Sequence, residues 1–221
     1  MPGHVRVGGS WKTVSSPSVR VGGSWKSVTA GFTRVGGAWK QWYTASVPGD
    51  YEILESAILS GSESSVIFSN LNSKYSSEYK HLQVRFSVRG NRSESNTLLQ
   101  VFFNANENYN NYAWQRLAGE GASPVQTSAI DYNSIDLYGI PGATNTANVF
   151  APGVIDILEP FNTSRNTIIK SLNGFTGSSA SQIDITSGVF LSTAIISSIH
   201  FEDRFSTLAA GSRFSLYGLK G

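Results

Sequence analysis

The chain opens on one phrase written three times. Val5-Arg6-Val7-Gly8-Gly9-Ser10-Trp11-Lys12 returns as Val19-Arg20-Val21-Gly22-Gly23-Ser24-Trp25-Lys26, and again as Thr33-Arg34-Val35-Gly36-Gly37-Ala38-Trp39-Lys40, fourteen residues apart each time. A Gly-Gly pair between two short β-prone runs is a strong hairpin signal, because both turn residues can take positive φ. Each unit therefore predicts a strand, a tight turn and a second strand centred on Trp, and three in tandem predict a small meander. On a period of two, Val is expected to share an apolar side with Trp, and Arg a basic side with Lys. Such a strip buries little by itself, and small repeats gain stability by packing on neighbours. The segment is thus expected to dock on another copy or another protein. Its candidate attachment residues are Val7, Trp11, Val21, Trp25, Val35 and Trp39, with Arg6, Arg20 and Arg34. Two other uses of the basic side stay open: a solvated strand face that discourages edge pairing, and single-stranded nucleic acid stacked on the indoles. Evenly spaced charges are no dense basic cluster, so nucleic acid is not the expected partner.

Charge divides the chain at the same place. Residues 1–42 carry six Lys or Arg and no acid, whereas the rest carries 11 Lys or Arg against 15 Asp or Glu, a balance of −4. The overall +2 joins a basic strip to an acidic domain. Cysteine is absent, which excludes disulfides, thiolate metal sites and a cysteine nucleophile. No stretch approaches the roughly 20 apolar residues of a membrane span. The amino terminus lacks the apolar core of a signal peptide, so no membrane targeting is expected.

After Trp42, the run to Asp50 breaks the repeat with Pro48-Gly49, which places a linker at 43–50 and a second domain at 51–221. There the pattern is β almost throughout. In His81–Arg89, Leu82, Val84, Phe86 and Val88 alternate with polar residues. Further strands are expected at 51–59, 65–71, 97–104, 112–117, 149–158, 167–173, 182–187, 194–201 and 213–219. A helical turn is expected near 73–79, and turns at 104–108 and 173–178. About ten short strands with frequent turn signals predict an antiparallel two-sheet β-sandwich of jelly-roll type, with a closed barrel as the alternative. The fold class is all-β, tandem hairpins followed by that sandwich.

Little in the domain resembles catalytic machinery. His4, His81 and His200 are scattered and have no metal-ligand spacing. Nucleophile-elbow, P-loop and dinucleotide motifs are absent. The carboxylate groupings Asp131 with Asp136, Asp156 with Glu159, and Glu202 with Asp203 fit ordinary turn and strand-end chemistry better than a glycosidase pair. Neither metal nor cofactor is expected. The segment Asn106–Arg116 concentrates Asn with Tyr and Trp, types that stack on sugar rings and bond hydroxyls. Asn108, Tyr109, Asn110 and Asn111 are the candidate glycan contacts, set against the plainer reading of a polar loop leading into a strand whose Tyr112 and Trp114 pack in the core.

Several blocks carry a family resemblance: Tyr51-Glu52-Ile53-Leu54, Ser64-Ser65-Val66-Ile67-Phe68-Ser69, Tyr79-Lys80-His81-Leu82-Gln83-Val84-Arg85, Asn111-Tyr112-Ala113-Trp114-Gln115, Ala147-Asn148-Val149-Phe150, Ile155-Asp156-Ile157-Leu158, Thr193-Ala194-Ile195-Ile196-Ser197-Ser198-Ile199 and Phe214-Ser215-Leu216-Tyr217-Gly218-Leu219-Lys220. In this order they resemble a class of β-rich structural proteins of tailed bacteriophages, common in aquatic phages. The repeats look like those of phage tail and fibre proteins. The charged stretch 201–208 departs from the family pattern. The resemblance implies a non-enzymatic virion component, in a tail fibre or baseplate, that contacts other virion proteins, further copies of itself (a trimer among the options) and host-surface glycan. A capsid decoration or head-fibre protein and a glycan-active enzyme are the alternatives.

Overall fold

A computed structural model of the chain describes residues 4–7, 10–13, 18–28, 30–44 and 50–221, and within these leaves out the side chains of 4–7, 10–13, 27 and 42–44. The chain divides into two compact units, Met1–Gly49 and Asp50–Gly221.

In the first unit, β1 (His4–Val7) pairs with β2 (Ser10–Thr13), β3 (Ser18–Val21) with β4 (Ser24–Ser27), and β5 (Ala30–Val35) with β6 (Ala38–Thr44), all antiparallel. The described turns need glycine for backbone reasons. Gly22 and Gly23 take φ of +60° and +85°, and Gly36 and Gly37 +60° and +84°, the double positive φ of a type I′ turn. A Cβ at any of the four would meet nothing within 4 Å, so crowding is not the cause.

Two expectations are corrected here. Among the described residues, no ladder joins one hairpin to the next: the meander is replaced by three separate two-stranded sheets. The faces are also redistributed. A two-residue turn pairs Val21 with Ser24, which sets Arg20 opposite Trp25 and Val19 opposite Lys26. Directly opposed residues share a face, so each indole lies with the Arg and each Val with the Lys or Ser. Arg34 and Trp39 are opposed in the same way. Counting within one strand gives the alternation but not the phase between two strands, which the turn length decides.

The second unit is an antiparallel β-sandwich. Its elements run β7 (Tyr51–Ile58), β8 (Ser65–Ser69), α1 (Leu71–Tyr75), β9 (His81–Val88), β10 (Asn96–Phe103), β11 (Tyr112–Glu120), β12 (Ser123–Tyr132), β13 (Ile135–Pro141), β14 (Ala151–Leu158), β15 (Thr167–Thr176), β16 (Ser181–Phe190), β17 (Ser198–Asp203) and β18 (Arg213–Leu219). One sheet has four strands in the order β13-β10-β17-β8, and the other eight, β12-β11-β16-β15-β14-β9-β18-β7. From β8 to β11 the chain changes sheet at every step. β8, β10, β13 and β17 facing β9, β11, β12 and β14 form the nested Greek keys of a jelly roll. The larger sheet is widened by the β15–β16 hairpin, set between β14 and β11, and by the β7–β18 pair beside β9.

The alternation in β9 leads directly to the core: Leu82, Val84, Phe86 and Val88 are all buried. From the opposing sheet come Val66, Phe68, Val101, Phe103, Ile199 and Phe201. The outermost strand of the smaller sheet, β13, lies against β15 and β16. A Cβ on Gly188 would stand 2.7 Å from Ile135, so close approach of the two layers requires glycine there. Between Ile169, Phe175 and Phe190, the inner face of β15 and β16 carries a polar run: Ser171, Asn173, Gln182, Asp184 and Thr186 are buried, together with Arg116 of β11. Arg116 Nε donates to Asp184, its Nη2 donates to Glu120 Oε1 at 2.7 Å, and its guanidinium lies 4.4 Å from the centre of the Tyr138 ring. Among the described residues, no helix is long and apolar enough to cross a membrane.

Candidate functional site

Two groups of side chains stand out, one in each unit. In the hairpins, Trp25 is 72% exposed and Trp39 70%, and Val21 and Val35 are about as open, at 52% and 51%. Arg20 Nε donates to the Gly23 carbonyl at 3.4 Å and Arg34 Nε to that of Gly37 at 3.3 Å. Each guanidinium therefore folds back over its own turn, on the indole's side of the hairpin. The side chains of Arg6, Val7 and Trp11 lie outside the described residues, although the backbone pairs Arg6 with Trp11 in the same register.

In the sandwich, the candidate glycan residues lie in the β10–β11 loop. That loop is held from below. Tyr112 is fully buried, and its hydroxyl accepts from Phe103 N at 2.9 Å and donates to the Asn106 carbonyl at 2.8 Å. Asn106 Oδ1 accepts from Asn108 N and from Asn111 Nδ2, both at 3.0 Å. The amide of Asn111 thus braces the loop, while Asn108, Tyr109 and Asn110 are exposed. Asn110 has φ +77°, a left-handed conformation that Asn adopts more readily than most residues.

The fold brings partners to Tyr109 that sequence reasoning missed. Its ring meets Tyr132 edge-on at 6.3 Å, and Tyr132 in turn meets Trp114 at 6.3 Å. The Arg204 guanidinium lies 4.8 Å from the Tyr132 centroid and 6.0 Å from that of Phe205, and Arg92 covers Phe205 at 4.2 Å. Arg204 is held by a 2.8 Å bond from Nη1 to Asp136 Oδ2, and Ser134 Oγ donates to Asp136 Oδ1 at 2.7 Å. Burial pushes the Asp136 carboxyl above its usual range, against the lowering effects of Ser134 and Arg204. The result is a strip of alternating rings and guanidinium groups, with Tyr109 and Phe205 exposed. Exposed rings stack on apolar faces of a ligand, and the neighbouring amide and guanidinium groups bond to hydroxyls or acids. The one sequence signal for Arg204 and Phe205 was the charged departure at 201–208.

The remaining candidates are engaged in structure. His81 Nδ1 accepts from Glu159 N at 3.1 Å. His200 stacks on Phe102 at 4.9 Å, its Nε2 lies 3.0 Å from Ser198 Oγ, and burial lowers its pKa. The side chain of His4 lies outside the described residues. Asp156 accepts from Gln83, and Glu159 accepts from Asn162 and pairs with Arg165. Asp203 Oδ1 accepts from Thr97 Oγ1, Phe205 N and Ser206 N, closing the turn that carries Phe205. Its neighbour Glu202 points to the opposite face of β17. Among the described residues, no group of three or more His, Cys, Asp and Glu could hold a metal ion.

Comparison of the chain with protein-family models and with curated proteins finds no match.

Proposed function

We propose that this chain is a non-enzymatic structural component of a tailed-phage virion, in the tail fibre or baseplate. In this reading the hairpin unit attaches the protein to other virion proteins. The sandwich carries the ring-and-guanidinium strip around Tyr109 toward host-surface glycan. The observation that carries the reading is the exposure of Trp25 and Trp39, each on a hairpin too small to cover its own indole and each accompanied by an arginine. Solvent-facing Trp repeated at a fixed spacing suits a docking element, since Trp and Arg are the side chains most enriched where interfaces hold tightly. The resemblance of the ordered sequence blocks to those of phage structural proteins suggests the setting.

The test is made in the full-length chain. Replacing Trp11, Trp25 and Trp39 together by Ser leaves the sandwich folded, as read by near-ultraviolet circular dichroism, and abolishes incorporation into particles. Incorporation at the wild-type level would sink the attachment role.

A further inference from the structure

Within the repeated octapeptide, the three hairpins differ from one another on one side only. The first two copies are identical, and the third has Thr33 where the second has Val19, and Ala38 where it has Ser24. Register sets Val19 opposite Lys26 and Val21 opposite Ser24, as it sets Thr33 opposite Lys40 and Val35 opposite Ala38. Both changed positions therefore lie on the side away from the indole. The other side is the same in every copy, with Arg6, Arg20 and Arg34 opposed to Trp11, Trp25 and Trp39. Where both side chains are described, the details coincide as well: Trp25 and Trp39 are 72% and 70% exposed, and each Arg Nε donates to the second glycine of its own turn. A hairpin needs its turn glycines and β-prone strands. It does not need an exposed Trp with an Arg across from it.

We infer that each hairpin fills one site on the partner through its Arg–Trp side, and that the partner presents that site at least three times, as the subunits of a homo-oligomer do. The inference rests on the attachment role proposed above and adds the chemistry of the partner. Three equal faces on separate ladders gain little from one another against a single site. Against three equal sites, the second and third contacts form intramolecularly and multiply the affinity. Each site is a pocket for an indole, apolar in its depth and acidic at its rim. The acidic rim follows from charge: residues 1–49 contain no carboxylate that could neutralise Arg20 or Arg34. Covalent reach bounds the spacing. Trp25 and Arg34 are nine residues apart, and Arg34 stands directly across from Trp39. The backbones that carry neighbouring indoles therefore lie within about 35 Å of each other, which sets the scale on which the partner repeats.

The test measures binding of the full-length chain to phage particles assembled without it. Trp11→Ser, Trp25→Ser and Trp39→Ser each weaken binding about 10- to 100-fold, to a similar extent in all three, and any two together weaken it by the product of their separate effects. Arg20→Gln with Arg34→Gln keeps every indole and also weakens binding, as does added salt. Val19→Thr with Ser24→Ala gives the second hairpin the third one's reverse side and leaves binding at the wild-type level. A loss confined to one Trp with the other two silent, an arginine variant that binds as wild type, or a loss in the Val19 and Ser24 variant would each overturn the inference and leave the attachment role standing. No binding by the wild type, or wild-type binding by the triple Trp variant, would instead sink the attachment role itself.

Discussion

Replacing Asp184 by Ala lowers the stability of the sandwich by about 3–5 kcal/mol, the typical cost of removing one partner from a buried ion pair. The side chains of Asp184 and Arg116 are 0% and 3% exposed. Among the described residues, Glu120, at 43% exposed, is the only other carboxylate paired with Arg116, and it reaches the far end of the guanidinium. Without Asp184, Nε is left buried and unmatched beneath Tyr138. The double variant Arg116→Met, Asp184→Leu removes both charges and recovers most of the loss, since buried pairs are often replaceable by apolar residues of similar volume. Urea unfolding measures both variants. A midpoint for Asp184→Ala equal to that of wild type would mean that Arg116 is not committed to the interior.

The second large effect belongs to the contact that joins the sheets. Phe201 of the smaller sheet and Phe214 of the larger are both fully buried, with ring centroids 4.9 Å apart, and each reaches a further ring in its own sheet, Phe68 at 6.3 Å and Phe86 at 6.2 Å. Phe201→Ala deletes the middle of this four-ring stack and leaves a cavity that β-sheet backbones cannot collapse to fill. The expected cost is about 3–5 kcal/mol, a fall in melting temperature of roughly 6–20 °C for a domain of this size. Phe214→Ala costs a similar amount, and the two together cost less than their sum because they empty one shared space. A fall of under about 1 kcal/mol for Phe201→Ala would show that the layers are held elsewhere.

How much of this was legible in advance differs from strand to strand. β9 was plain because one of its faces is core and the other solvent, so the alternation is written in its residues. β12 and β13 were missed for opposite reasons. β12 is the outermost strand of the larger sheet and six of its ten residues are Ser, Thr, Gln, Asp or Pro, with little apolar alternation to read. β13 is buried on both sides, so Ile135, Asp136 and Leu137 are all covered and period two disappears. The turn expected at 173–178 begins too early, because β15 runs on to Thr176 with Asn173 and Gly174 inside the sheet. A polar, glycine-containing strand is hard to tell from a loop until the strand above it is known. At the candidate site, the Asn-Tyr loop was legible from composition alone. Tyr132, Arg204, Phe205 and Arg92 come from three other connections, and only the jelly-roll crossovers bring them together.

Gold-labelled antibody against the sandwich, imaged on intact phage particles that carry this protein, tests the virion reading most directly. The account predicts label concentrated at the tail, over fibre or baseplate, and lost when Trp11, Trp25 and Trp39 are replaced by Ser. Label confined to the head, or particles that carry none, would contradict it.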